Sequence, residues 1–314
     1  MLRGVHYTYD RMDNVQSRRD LVNDIQENFY YDDQDRLTDY HLSGIGAAHA
    51  ENPLFNKKYS MSYAANGNIK YKSDVGHYIY ADPLHKHAVT QAGDNKYRYD
   101  ANGNMLSGGG RTIEWTGFNK PSRIQQEQGW VDFKYDESNQ RVSKRSSDGS
   151  RTWYLGKSYE LKELASGDIQ QTQYIYAGNG LVAVNVNSLK TDGQGSYASV
   201  DRQIRYSHTD ALKSVDMVSD MWGNIVDRKL YDPWGKERAF TWKADNVLLP
   251  QPVLLKRAFT GHEMLNEVDL IHMNGRLYDA TLARFISADV YIQAPDNSQS
   301  VSYTHLRAHE THEN

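Results

Sequence analysis

The sequence predicts an all-β fold built from short hairpins that stack side by side. Tyrosine is unusually frequent, with 23 Tyr against 7 Phe, and tyrosine favours strands because its ring packs well on a pleated surface. The 23 Gly and only 7 Pro are typical of many twisted strands joined by tight turns. No long amphipathic helix with capping residues is recognisable, so strands alone define the fold class.

A short unit recurs five times in the first half of the chain. It consists of an aromatic residue (Met in one copy), any residue, Tyr, usually Asp, then a turn and an apolar residue. The second tyrosines lie at positions 9, 31, 63, 99 and 135, so successive copies are 22, 32, 36 and 36 residues apart. Such self-similarity indicates that each copy is one supersecondary unit. The copies begin at Tyr7, Phe29, Met61, Tyr97 and Phe133.

The chemistry of the unit predicts a strand, a tight turn and a second strand. Alternate residues of a strand face the same side, so both aromatic residues of a unit should share one face. The carboxylate of Asp can accept a hydrogen bond from the backbone two residues on and start a turn. Asn-Gly, as at Asn102-Gly103, supplies the positive φ angles of a two-residue hairpin. Because a lone hairpin cannot bury its aromatic face, neighbouring units must pack together.

A further hairpin is predicted after the repeats. Residues 173–176 and 181–186 alternate as strands do, and Asn179-Gly180 separates them. Residues 187–199 are polar and contain Gly and Ser, which predicts a surface loop.

Composition excludes several classes of function. The net charge of −4, with both signs mixed along the chain, gives no electrostatic case for nucleic-acid binding. No apolar run of about 18 residues is present, so no membrane span is expected. The absence of Cys excludes disulfides and thiolate metal sites, and the first residues lack the apolar stretch of a signal peptide.

The repeats and the motifs that follow them resemble RHS/YD-repeat proteins. The Tyr-Asp units are similar to YD repeats, and the C-terminal third is similar to the RHS repeat-associated core, with Lys213 where that family usually has Gly. The resemblance covers residues 1–299, which divides the chain into a YD-repeat region (1–200) and an incomplete associated core (201–299). The core-like motifs occupy residues 206–215, 220–224, 231–235, 259–263, 273–279 and 284–289.

The resemblance implies a structural role. It implies that the stacked YD hairpins form part of a spiralling β-cage, the RHS shell, of a secreted or cell-surface protein of bacterial type. It further implies that the shell of a polymorphic toxin encloses a C-terminal effector domain in cis, with secretion-system components or cell-surface carbohydrate as further partners. No cofactor is expected.

The resemblance also points to one catalytic constellation, Asp279 with Asp289, supported by Arg276. Two close carboxylates can share a proton, so that one activates water while the other polarises a scissile amide. Such an aspartyl-type self-cleavage requires sequence beyond this chain. The chain departs from the family pattern at Ala280, Ala283 and Val290.

A structural interpretation of the same residues stands beside the catalytic one. Asp279 follows Tyr278 just as Asp100 follows Tyr99, so its carboxylate is equally suited to starting a turn. The histidines of this region, His208, His262 and His272, are expected to form hydrogen bonds between strands and not to bind metal.

Residues 300–314 are expected to be a non-native tail. The codons GTC TCT TAT ACA CAT CTC CGA GCC CAC GAG would encode residues 301–310, and that string resembles a transposase-type sequencing adapter. We interpret the tail as an assembly scar and the chain as a C-terminally truncated fragment, and we assign no metal site to His305, His309 and His312.

Three functions therefore compete at the level of sequence. The first is a structural shell around an effector, and the second is an adhesion module whose exposed tyrosines stack on sugar rings. The third is self-cleavage by the two aspartates. The direction in which the repeat tyrosines point distinguishes the first two, because a shell buries them and a carbohydrate-binding surface exposes them.

Overall fold

The computed structural model describes residues 3–44, 55–178, 180–238 and 255–288. The regular secondary structure in these ranges consists of strands, apart from one 3₁₀ turn at Phe259–Gly261. All strand pairs there are antiparallel. The predicted all-β class is therefore confirmed. Asp289 and the predicted tail at 300–314 lie outside the described residues.

The first sheet follows chain order, so each strand pairs with the next one along the sequence. Its described strands are β1 (Val5–Tyr9), β2 (Val15–Asp20), β3 (Ile25–Tyr31), β4 (Leu37–Gly44), β5 (Lys57–Tyr63), β6 (Ile69–Lys72), β7 (Gly76–Ile79), β8 (Gln91–Ala92) and β9 (Asn95–Lys96).

The second sheet continues the same meander. Its described strands are β10 (Arg98–Tyr99), β11 (Met105–Gly108), β12 (Arg111–Trp115), β13 (Pro121–Gln126), β14 (Gly129–Tyr135), β15 (Arg141–Ser146), β16 (Arg151–Leu155), β17 (Tyr159–Glu163), β18 (Ile169–Ala177), β19 (Gly180–Thr191), β20 (Tyr197–Thr209), β21 (Val215–Ser219) and β22 (Ile225–Arg228). We call β1–β22 the wall. The predicted boundary at residue 200 falls within β20, and the division into two regions stays a prediction.

Two smaller sheets follow. They contain β23 (Leu230–Tyr231), β24 (Glu237–Arg238), β25 (Glu263–Leu265), β26 (Leu270–Met273), β27 (Arg276–Asp279) and β28 (Arg284–Phe285). We call residues 255–288, which carry β25–β28, the C-terminal layer.

The predicted hairpin after the repeats is present, but the predicted loop is not. β18 and β19 pair on either side of the Asn179-Gly180 position, as the alternation indicates. Residues 187–199, predicted as a loop, lie mostly in β19 and β20, and their turn spans only residues 192–196. The polarity of this stretch reflects solvent exposure of both faces of the start of β20, which is compatible with a strand.

The turns of the repeat are longer than the predicted two-residue hairpin. In the fourth copy the amide of Gly103 donates to the carbonyl of Asp100, and the strand register shifts between Arg98 and Tyr99. Gly103 is left-handed, with φ of 81°. The two-residue prediction is wrong because the aspartate favours a β-turn over residues 100–103 followed by a bulge.

The aspartate has the role that the sequence predicts. One carboxylate oxygen of Asp100 accepts hydrogen bonds from the amides two and four residues on, at 2.9 and 2.8 Å. This pair of bonds lies within the hairpin and closes the turn. It recurs at Asp10, Asp32, Asp136, Asp210, Asp220 and Asp232.

Lys213 occupies the left-handed position of one such turn, with φ of 65°. A side chain in this conformation costs about 1 kcal/mol that glycine avoids. We expect Lys213→Gly to raise the free energy of unfolding by about 1 kcal/mol, measured by urea denaturation. Lys213→Ala keeps the β-carbon and should give no comparable gain. Equal stabilisation by both variants would instead point to loss of the lysine charge.

The second tyrosine of a unit fastens its hairpin to an earlier strand. Its hydroxyl donates to a backbone carbonyl at the start of that strand, which satisfies an acceptor at the end of the ladder. The bonds join Tyr31 to Val15 (2.9 Å), Tyr63 to Leu37 (2.8 Å) and Tyr135 to Pro121 (2.8 Å).

Removing one of these hydroxyls tests the fastening role. We expect Tyr135→Phe to lower the free energy of unfolding by about 1 kcal/mol, because the carbonyl of Pro121 loses its donor while the ring keeps its packing. Tyr30→Phe is the matched control, since the Tyr30 ring is 47% exposed on the opposite face. Equal effects of the two substitutions would contradict the fastening role.

The C-terminal layer lies across the wall in reverse order of the strands. Arg257 binds Glu160, Asp279 binds Arg111, and the carbonyl of Leu282 accepts from Tyr78. Along these three contacts, later residues of the layer therefore bind earlier strands of the wall, from β17 to β7. The largest apolar cluster joins the layer to both wall sheets, and includes Ile69, Met105, Ile124, Val131, Leu265, Leu277 and Ile286.

The wall also returns on itself. Arg3, which precedes β1, binds Asp216 of β21, and Arg18 of β2 lies 3.4 Å from Asp210 in the turn between β20 and β21. The outer edge of the first sheet thus meets the last strands of the second sheet. A cavity of about 50 Å³ in this contact has room for a few water molecules.

Candidate functional site

Asp279 is buried at the end of β27, with 1% of its surface exposed. One carboxylate oxygen accepts from the amides of Thr281 and Leu282 at 2.9 and 3.0 Å. The other lies 2.8 Å from Nη1 of Arg111, on β12 of the wall. Asp279 therefore starts a turn, as the structural interpretation expects, and also ties the C-terminal layer to the wall.

The other two residues of the predicted constellation do not complete a dyad in the described residues. The guanidinium of Arg276 lies over the ring of Phe285, 3.7 Å from its centroid. Asp289 lies outside the described residues. The cation that pairs with Asp279 is Arg111, which sequence reasoning missed because 168 residues separate the two. The catalytic assignment of Asp279, Asp289 and Arg276 stays a prediction.

A second set of charged groups converges on Glu263 of β25. Glu263 is 4% exposed, and its carboxylate binds Arg141 at 2.5 Å and Lys144 at 2.9 Å. The hydroxyl of Tyr154 donates to the same carboxylate at 3.0 Å. Nearby, Arg257 lies 3.2 Å from Glu160. Three neighbouring wall strands, β15, β16 and β17, therefore bind the C-terminal layer through charge.

The two carboxyl groups of this cluster shift in opposite directions. Burial would raise the pKa of Glu263, but Arg141 and Lys144 hold it well below its usual range. Burial and the neighbouring charge of Glu263 raise the pKa of Glu160. Burial and Lys144 lower the pKa of Lys256 to about 8. A cluster of perturbed groups is typical of functional sites and of buried ion networks alike.

The three histidines of this region behave differently from one another. Nε2 of His208 lies 2.9 Å from the hydroxyl of Ser219 across β20 and β21, so the interstrand bond predicted for it is confirmed. His262 bonds locally to the hydroxyl of Thr260. His272 is 5% exposed, and its Nδ1 has no hydrogen-bond partner among the residues that the structure describes, so the bond predicted for His272 stays a prediction. The ring of His272 packs against that of Phe133.

Neither a metal site nor a spanning helix is apparent in the parts of the chain that the structure describes. In residues 3–44, 55–178, 180–238 and 255–288, no group of three or more His, Asp or Glu side chains could hold a metal ion. In the same ranges, no helix has the length and apolarity needed to cross a membrane.

The meandering wall, its return at Arg3 and Asp216, and the layer packed across it define a class of protein, the β-shell built from YD hairpins. The family model described as Teneurin YD-shell matches residues 7–310, and the chain belongs to that family. The resemblance to YD-repeat shell proteins is thereby confirmed, and the role of the chain is that of a structural shell.

Solved structures agree on the fold. The crystal structures of TcdB2-TccC3-Cdc42 and of TcdB2-TccC3 without the hypervariable C-terminal region each have a TM-score of 0.57, at 13% and 12% identity. They cover 96% and 97% of this chain, which spans 18% of theirs. TcdB2-TccC3 itself has a TM-score of 0.55. Among curated proteins none matches.

Proposed function

We propose that the chain forms part of the wall of a secreted protein shell that encloses a C-terminal effector polypeptide in cis. The wall supplies two successive antiparallel sheets, and its return at Arg3 and Asp216 favours an enclosure over an open sheet. The C-terminal layer closes one face of the wall. The effector, a toxin by the family resemblance, would follow the layer in the chain.

The burial of the repeat side chains carries this proposal. Met61, Tyr97 and Phe133, the first members of three units, are 3%, 6% and 5% exposed. The second members of three units donate their hydroxyls to backbone carbonyls. In these units the side chains pack within the wall and are not free to stack on sugars, whereas Tyr9 of the first unit is 52% exposed.

The solved structures similar in fold are consistent with a carried C-terminal region. One is the structure of TcdB2-TccC3 without its hypervariable C-terminal region, and another is the structure of TcdB2-TccC3-Cdc42. Those names describe those proteins alone. For this chain they support the proposal of a shell in which the C-terminal effector varies between proteins and the fold of the wall stays the same.

Protease protection tests the proposal. The complete coding sequence that contains this chain is expressed and digested with thermolysin in native buffer, beside the effector polypeptide expressed alone. We expect the enclosed effector to survive at protease concentrations that destroy the isolated effector, and to lose protection once urea unfolds the wall. Equal digestion of the two would contradict enclosure.

The adhesion alternative depends on different side chains. Trp222 is 77% exposed and Tyr206 is 44% exposed, and neither belongs to a repeat unit. If the protein is instead a carbohydrate-binding adhesin, it should bind glycans on an array, and Trp222→Ala should abolish that binding. An enclosed effector without glycan binding would favour the shell.

Self-cleavage by Asp279 and Asp289 is a second proposal, supported by the buried carboxylate of Asp279 ten residues before Asp289. Intact mass of the complete protein tests it, with Asp279→Asn and Asp289→Asn expected to abolish a discrete C-terminal fragment. Arg111→Met is the matched control, because it breaks the same ion pair and keeps the carboxylate. Loss of cleavage in all three variants would point to disturbed packing, and an uncut wild-type chain would exclude the chemistry.

A further inference from the structure

The contact between the C-terminal layer and the wall is rich in positive charge. Lys144 and Arg141 come from β15, and Lys256 and Arg257 come from the layer itself. The acids that face them are Glu160, Glu263 and Glu267. Lys120 reaches the layer from the turn before β13, where its ammonium donates to the carbonyl of Gly275 at 3.0 Å. Among these named groups the five cations outnumber the three acids, so their net charge disfavours a further positive charge at this part of the contact.

His272 lies inside this contact. It is on β26, opposite Glu263 in the register, and its ring centroid is 5.7 Å from that of Phe133 on β14. Its ring is surrounded by protein, with 5% of the residue exposed, and its Nδ1 has no hydrogen-bond partner within the described part of the chain. The charged groups that face it are Arg141, Glu263, Lys120 and Lys144. Burial and Arg141 hold the pKa of His272 well below its ordinary range.

His262 immediately precedes Glu263, the first residue of β25, and therefore lies at the same end of that strand as His272. Nδ1 of His262 is 2.8 Å from the hydroxyl of Thr260, and Arg257 is the charged group that faces it. Burial and Arg257 lower the pKa of His262 to about 4. Both imidazoles at the contact are therefore neutral at pH 7, and each has a cation as a neighbour.

We propose that His262 and His272 make the contact between the C-terminal layer and the wall acid-sensitive, so that the layer separates from the wall as pH falls from 7 towards 5. When the layer separates, both imidazoles become exposed to water. Each can then accept a proton away from the positive charge of Arg141 or Arg257. The inference rests on the proposed shell, because it specifies how the shell would open to release its contents.

The sign of the effect follows from the direction of the shifts. A histidine that titrates near 6.5 in water and lower in the closed contact binds more protons in the open form. Closure therefore weakens as pH falls below 6.5. Glu263 stays ionised throughout this range because its pKa is held low, so its ion pairs still oppose opening. The pKa of Glu160 is raised in the closed form, so a fall in pH favours closure at this group and also opposes opening.

Hydrogen exchange of the whole chain tests the proposal. Exchange is measured by mass spectrometry at pH 7.5 and 5.0, after correction for the intrinsic rate at each pH. For wild type we expect protection of peptides from residues 259–286 to fall by at least about 10-fold at pH 5.0, since each unit of pKa shift corresponds to about 10-fold. Peptides from β5 and β6 serve as an internal reference and should change little.

Variants identify the imidazoles as the cause. The double variant His262→Gln with His272→Phe cannot take up the two protons, and its layer should keep its protection at pH 5.0 within about threefold. His77→Gln replaces an exposed histidine of β7 and should behave like wild type. Loss of protection in the double variant equal to that of wild type would overturn the proposal, as would a wild-type layer that stays protected.

A second measurement covers the case in which the double variant folds poorly. Proton-detected NMR of histidine side chains in wild type follows the protonation of His272. Its protonation together with the loss of layer protection supports the proposal, whereas titration near pH 6.5 with the layer still protected overturns it. Neither experiment involves an effector, so failure of enclosure and failure of the acid response are observed separately.

Discussion

Replacing Glu263 by Gln is expected to lower the free energy of unfolding by about 3–5 kcal/mol. Its carboxylate pairs with Arg141 and Lys144, which are buried on β15, and both cations would be left without a counter-charge. Burying Arg141 and Lys144 costs desolvation free energy, which their ion pairs with Glu263 offset. Without that carboxylate the cost remains and the folded state is destabilised. Urea denaturation followed by tryptophan fluorescence measures the change.

Glu267→Gln is the matched control on the same side of the layer. Glu267 also faces Lys144, at 3.5 Å, and accepts from the hydroxyl of Ser146. Its side chain is 20% exposed, so water can replace part of what is lost. We expect an effect of about 1 kcal/mol or less. A Glu263→Gln effect no larger than that would contradict the view that charge binds the layer to the wall.

Replacing Asp279 by Asn is expected to lower the free energy of unfolding by about 3 kcal/mol. Asparagine can still accept from the amides of Thr281 and Leu282, but it removes the negative charge opposite Arg111. Arg111 is 6% exposed and has little access to water, so the uncompensated charge dominates the cost. Thermal and urea unfolding of the variant measure it.

Asp136→Asn makes the same chemical change in a turn without a buried partner. Asp136 accepts from the amides of Ser138 and Gln140, in an exposed turn. We expect a loss of about 1 kcal/mol or less, which isolates the turn contribution from the ion-pair contribution. If both aspartates gave the same loss, Asp279 would be an ordinary turn residue.

Local features of the fold were predictable from sequence because the residues within each unit specify its own strands and turn. The aspartates start the turns and the tyrosines alternate along the strands, so the strands and their order follow from the repeat. The length of the turn was mispredicted from Asn102-Gly103, because the aspartate bonds to amides two and four residues on. A carboxylate that reaches the fourth residue requires the longer loop.

The charged contacts of the layer were not predictable, because they join residues that are far apart in the chain. Arg111 and Asp279 are separated by 168 residues, and Arg141 and Glu263 by 122. Neither arginine differs in local sequence from the many exposed arginines of the wall. His272 offered no signal either, since a histidine on a strand is equally compatible with a hydrogen bond and with packing on an aromatic ring.

The return of the wall is the central claim, and site-specific crosslinking tests it most directly. The chain contains no native cysteine, so Arg3→Cys with Asp216→Cys introduces a unique pair at the contact between the start of the wall and β21. We predict rapid intramolecular crosslinking by a short bis-maleimide, seen as one added mass and as a shift on a denaturing gel. Arg3→Cys with Arg145→Cys, which joins β1 to an exposed position of β15, should not crosslink. Equal yields for the two pairs, or none for the first, would contradict a wall that returns on itself.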